Sequence, residues 1–145
     1  MFTNYDNAYD YELIKGENDY FITYHSEFMI ADDNSIRVTF AGDKDTNEWH
    51  FGFSRISGDQ ISQDITGTGN AIKILSTVIK MIIHVATTED VRFMMFRAGA
   101  ESVREKLFER IFRKLSHRYG YGVRVQKSET GSTISVVKEV VHETV

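Results

Sequence analysis

Residues 60–122 constrain this chain more than any other stretch. A short alternating run, Gln60 to Ile65, leads into Thr66-Gly67-Thr68-Gly69-Asn70. An apolar stretch with helical spacing follows from Ala71 to Ala86, then a strand-like run from Val91 to Phe96, then an amphipathic stretch from Ser102 to Tyr119. A strand, a glycine turn, a helix, a strand and a second helix form a unit able to hold an anion. The first amides of a helix have no partner inside it, and the helix dipole adds positive potential at the same point.

The rest of the chain surrounds that unit with strands. Tyr20 to His25 reads as a strand, and Ser35 to Phe40 alternates Ile36, Val38 and Phe40 against Arg37 and Thr39. Glu48 to Ile56 is the clearest strand, with Trp49, Phe51 and Phe53 set against His50, Gly52 and Ser54. Short polar turns join these runs, so an antiparallel meander is expected, with Gln60 to Thr66 adding a fourth strand. Residues 123–137 read as a hairpin turning at Ser128-Glu129-Thr130-Gly131. The first helix is apolar nearly all round, with only Lys73, Thr77, Lys80 and His84 as a polar stripe, which predicts burial on most sides. The second opens on Ser102-Val103-Arg104-Glu105, a capping box, and stops at Gly120.

The expected fold class is therefore α/β (α+β). One mixed, mostly antiparallel sheet carries two main helices, one on each face, in the order β-β-β-β-α-β-α-β-β. The 145 residues suit a single domain spanning 1–145, in which residues 1–19 form an extended or partly helical lead-in. No residue is cysteine, which removes disulfides and thiolate metal sites. The start of the chain lacks the basic and apolar regions of a signal peptide, and Ile72 to Val85 is too short and too interrupted to span a bilayer. A cytoplasmic protein with no membrane partner is expected.

Charge is unevenly placed. Residues 1–64 hold 4 Lys/Arg and 13 Asp/Glu, net −9, whereas residues 92–124 hold 9 Lys/Arg and 3 Glu, net +6. Two readings stay open: the halves neutralise each other inside the fold, or the basic part is a face for an acidic partner. The acidic total and the lack of interleaved exposed aromatics disfavour nucleic acid. Arg110, Arg113, Lys114 and Arg118 are the candidate partner-binding residues. The N-terminal aromatics Phe2, Tyr5, Tyr9 and Tyr11 lack core periodicity and read as an interface for a partner or a second copy. The histidines His25, His50, His84, His117 and His142 show no ligand spacing, so no metal site is expected.

The element order resembles the Gcn5-related N-acetyltransferases. In that family a four-stranded lead-in ends at a turn, usually Gln/Arg-x-x-Gly-x-Gly/Ala, that cradles the pyrophosphate of acetyl-CoA. The matching residues here are Asp64-Ile65-Thr66-Gly67-Thr68-Gly69. The resemblance implies cofactor-binding residues Gly67, Thr68, Gly69 and Asn70, with Glu48 or His50 as a general base. It covers roughly residues 35–137. Three departures bear on activity. Asp64 stands where the family has Gln or Arg, and a carboxylate repels a pyrophosphate. Phe108 stands at the place of the tyrosine that protonates the leaving thiolate, and has no proton to give. The stretch before residue 35 is poor in helix, where the family shapes its acceptor pocket with paired helices. The expected function is accordingly a non-catalytic acetyltransferase-like module that binds another protein and needs no cofactor. The alternative is an acyl-CoA-dependent N-acetyltransferase using acetyl-CoA. A second resemblance, through Ile65 to Ala71 and Ser76-Thr77-Val78, is to small uncharacterised proteins of tailed bacteriophages. It suggests a phage accessory or host-directed factor and implies no activity.

Overall fold

The computed structural model describes residues 8–58, 60–62, 71–99, 109–110, 113, 120–129 and 131–138. The strands are β1 (Ile14–Glu17), β2 (Phe21–Ala31), β3 (Asn34–Asp43), β4 (Glu48–Ser57), β5 (Gln60–Ser62), β6 (Phe93–Gly99), β7 (Tyr121–Ser128) and β8 (Gly131–Lys138); α1 spans Ala71–Thr88. They form one mixed sheet in the order β1-β2-β3-β4-β6-β8-β7, with β5 paired to β4 beside that path. Neighbours are antiparallel except β4 and β6, which run parallel over Glu48–Phe51 and Phe93–Phe96. Parallel neighbours need a crossover, and α1 supplies it. Beyond Phe51 the strand β4 parts from β6, and Arg55–Ser57 pair with β5 instead.

Alternation decides which face is covered. Tyr24, Ser26 and Phe28 of β2 lie opposite Phe40, Val38 and Ile36 of β3, and these lie in line with Phe51 and Phe53 of β4. All are buried, as are Trp49, Met94, Phe96 and Ile134 on the same face. The helix α1 seals this face with Ile74, Leu75, Val78, Ile79, Met81, Ile82 and Val85, every one buried. Phe51 stacks on Phe40 at 5.5 Å and on Phe96 at 4.7 Å, so the aromatic column crosses from the antiparallel meander into the parallel pair. The opposite face carries His25, Glu27, Arg37, Thr39 and His50, all exposed.

The expected two-helix, acetyltransferase-like α/β arrangement is corrected here. The described chain is mostly one large mixed sheet with a single complete helix on it. One strand, β1, is not apparent from the sequence, for a physical reason. β1, Ile-Lys-Gly-Glu, has too little apolar alternation to stand out, and it is held by its ladder to β2 (Ile14 opposite His25, Glu17 opposite Ile22). β5 falls within the expected fourth strand, Gln60 to Thr66, and pairs antiparallel with β4; residues 63–66 lie outside the described residues. Of the second expected helix, only Glu109, Arg110 and Arg113 are described, in helical backbone; the rest of that expectation lies outside the described residues.

Residues 8–13 carry no helix or strand and lie against the core. Tyr9 donates its amide to the Thr77 hydroxyl at 2.9 Å, stacks on Phe28 at 5.4 Å, and receives the Lys73 ammonium 4.3 Å above its ring. Tyr11 and Leu13 pack against the same core. Two of the four N-terminal aromatics therefore complete the core instead of forming a free interface; Phe2 and Tyr5 lie outside the described residues.

Candidate functional site

Three places come from the sequence expectations, and they fare differently. Gly67, Thr68, Gly69 and Asn70, together with Asp64 and Phe108, lie outside the described residues. The helix they would cap is described from Ala71, and its first turn holds no acidic residue. Its start lies toward the carboxyl ends of the parallel pair β4 and β6, because the crossover runs back along them.

Glu48 and His50 are exposed and alternate with the buried Trp49, so both project from the face that α1 leaves open. Their neighbours across the sheet are Phe93 and Met95, both half-buried. Neither carboxylate nor imidazole points toward the helix-covered side. The structure does not bring the candidate bases together with that helix start.

Arg110 and Arg113 are exposed. Arg113 is held by Glu109, with Nη2 2.8 Å from Oε1 one helical turn away. Lys114 and Arg118 lie outside the described residues.

The arrangement of charge as a whole is more telling than any one of these positions. The ion pairs between described residues are Lys15–Glu89, Arg37–Glu27, Lys44–Glu17, Arg113–Glu109 and Lys138–Asp90. Among these pairs between described residues, none joins the acidic segment 1–64 to the basic segment 92–124. The strand order explains this. β1, β2 and β3 take one end of the sheet, and β6, β8 and β7 take the other. Asp10, Glu12, Glu17 and Asp19 are exposed around β1, while Arg92, Arg124, Lys127 and Lys138 are exposed at the β6–β8–β7 end.

A shallow cleft of about 430 Å³ opens at the acidic end, lined by Glu17, Ile22, Gly42, Asp43, Lys44, Asn47, Trp49 and Glu89. Its carboxylates are already engaged. Glu89 accepts from the Tyr24 hydroxyl at 3.1 Å and lies 3.4 Å from the Lys15 ammonium. Burial, helped by that neighbouring carboxylate, pushes the Tyr24 phenol above its ordinary value. The hydrogen bond to Glu89 likewise raises the Lys15 ammonium. Lys44 holds Glu17 below the usual carboxylate value through a hydrogen bond and its charge. Asp43 Oδ1 accepts from the amides of Asp45 and Thr46, as an aspartate in a turn does. These contacts hold the ends of β1, β3 and α1 together. Sequence reading missed the Tyr24–Glu89–Lys15 cluster because its members are far apart in the chain and share no local pattern. Among the described residues no group of three His, Cys, Asp or Glu could hold a metal ion, and no helix is long and apolar enough to cross a membrane.

No protein family, no curated protein and no solved structure matches this chain.

Proposed function

We propose that the chain is a non-catalytic binding module that engages an acidic protein surface with the basic end of its sheet. One observation carries this reading: among the described residues, exposed Arg92, Arg124 and Lys127 lie on the β6–β8–β7 side of the sheet, and exposed Asp10, Glu12, Glu17 and Asp19 lie around β1 at the other end. Exposed cations of one sign on one end attract an opposite surface over several ångströms and speed encounter, an effect that salt weakens. Arg92, Arg124 and Lys127 are the contributors best placed for this. The resemblance of residues 65–71 and 76–78 to tailed-bacteriophage proteins supports a role in the cytoplasm of an infected host.

The test is fluorescence anisotropy with a labelled oligo-glutamate peptide, at two salt concentrations, for the unmodified chain and for Arg124→Glu with Lys127→Glu. Reversing two exposed charges should weaken binding at least several-fold, because like charges then face each other. The melting temperature should barely change, since exposed charges contribute little to stability. Equal peptide affinity of the two proteins, or tighter binding of duplex DNA than of the peptide, would overturn the reading.

A second reading, an acyl-CoA-dependent N-acetyltransferase, is favoured by one feature. β4 and β6 are parallel, are linked through α1, and cease to pair after Phe51; the carboxyl ends of such strands are where open sheets of this kind receive ligands. In that reading the turn Gly67-Thr68-Gly69-Asn70 takes the acetyl-CoA pyrophosphate. Titration calorimetry with acetyl-CoA decides it: measurable binding that Gly69→Glu abolishes supports the enzyme, and no binding removes it.

A further inference from the structure

We infer that the acidic surface recognised by the basic end is a second copy of this chain, docked head to tail so that β7 of one copy continues the sheet at β1 of the next. This rests on the proposed use of the basic end for binding and names its partner.

Both terminal strands are open among the described residues: β1 pairs only with β2, and β7 only with β8. A terminal strand presents backbone N–H and C=O groups that want a ladder, and another strand satisfies them best. The charges choose which strand. Exposed Asp10, Glu12, Glu17 and Asp19 lie on or beside β1 and outnumber exposed Lys15, and exposed Arg124 and Lys127 on β7 outnumber exposed Glu129 beside it. Pairing β1 with β1 therefore brings together two net acidic edges, and pairing β7 with β7 two net basic ones. The unlike pair joins edges of opposite net sign.

Side-chain direction is compatible with a continuous sheet. Glu17 stands opposite Ile22, two residues from buried Tyr24, which puts it on the helix-covered face. Lys127 is two residues from Val125, which stands opposite buried Ile134, and so shares that face. A ladder between β7 and β1 can therefore set Lys127 on one face beside Glu17, whose carboxylate Lys44 holds at 3.0 Å and whose side chain is 52% exposed. On the other it covers Ile14, a large hydrophobic left 48% exposed in the single copy. The overlap is limited by β1, four residues long against eight in β7. Contact is accordingly weak and depends on concentration. Because it uses two different surfaces, each docked pair keeps a free β1 and a free β7, and assembly proceeds as an open row.

The chain has no cysteine, so introduced thiols report cleanly. Ile14→Cys and Gln126→Cys place a thiol on β1 and on β7, both on the face away from α1. The two variants, one carrying a mass tag, are mixed at low salt and treated with a short bis-maleimide. The expected product is the mixed dimer, with little homodimer from either variant alone and a ladder from the variant carrying both thiols. Sedimentation velocity of the unmodified chain should show mass rising with concentration and falling with salt, and Lys127→Glu should weaken association several-fold. A monomer at every concentration, or homodimers as abundant as the mixed dimer, overturns the inference. A chain that binds oligo-glutamate yet stays monomeric loses this inference and keeps the binding role; one that fails both tests loses both.

Discussion

Gly42→Ala tests the packing that holds the acidic end of the sheet together. Gly42 lies opposite Trp49 across β3 and β4. A Cβ added there would stand 2.1 Å from Trp49 Cε2 and 2.4 Å from Cδ2 and Cζ2. Ordinary contact begins at 3.4 Å, so about 1.3 Å of separation must be found (3.4 against 2.1). The indole has nowhere easy to go: Trp49 is 2% exposed, and its Nε1 donates to Asn47 Oδ1 at 2.9 Å. Asn47 in turn donates to the Asp90 carbonyl at 3.0 Å. Overfilling a packed core costs about 1–3 kcal/mol, and losing the indole hydrogen bond costs about 1 kcal/mol. Alanine offsets roughly 0.5–1 kcal/mol of this by restricting the unfolded chain. The net expectation is a loss of about 2 kcal/mol, or roughly 4–8 °C in melting temperature for a chain of this size. Trp49 is the only tryptophan, so its fluorescence during urea unfolding reports the site directly. Trp49→Leu makes room, and the double variant, followed by circular dichroism, should cost at least 1 kcal/mol less than the sum of the single ones. A Gly42→Ala chain within 0.5 kcal/mol of the unmodified protein, or strict additivity in the double variant, would refute the reasoning.

Two further outcomes follow from other contacts. Lys138 holds Asp90 below the ordinary carboxylate value, chiefly through their hydrogen bond, so this pair's stabilisation is present above that ordinary value and is lost as pH falls through the lower folded-state one. Asp90→Asn, which suits the positive φ of 48° at this position, should flatten the acid side of a plot of urea midpoint against pH; an unchanged slope would count against the pair. Thr77→Val removes the acceptor of the Tyr9 amide, worth about 1 kcal/mol, so hydrogen exchange at Tyr9 should speed up roughly fivefold while exchange in the middle of β3 stays as it was.

The sequence by itself determined the elements whose side-chain period is local. Trp49, Phe51 and Phe53 announce a half-buried strand by alternation, and β4 runs from Glu48 to Ser57. The apolar circumference of residues 72–83 announces a buried helix, and α1 buries Ile74, Leu75, Val78 and Ile79. Tertiary structure decided the rest, because pairing partners are chosen over long distances in the chain. β1 has no pattern of its own and exists through its ladder to β2. Thr77 falls in the polar stripe of α1, yet it is fully buried because the Tyr9 amide arrives to bond it. Tyr9 and Tyr11 read as surface aromatics, yet they pack on the core once Phe28 and Lys73 are beside them. Composition showed an acidic and a basic segment but not whether they touch. The strand order makes them meet along the β4–β6 ladder while setting β1 and β7 at opposite ends of the sheet. Charge attraction is weak beside the burial of Phe51, Phe96 and Ile134 that sets that order, so the core chose the topology and the charges were left facing outward.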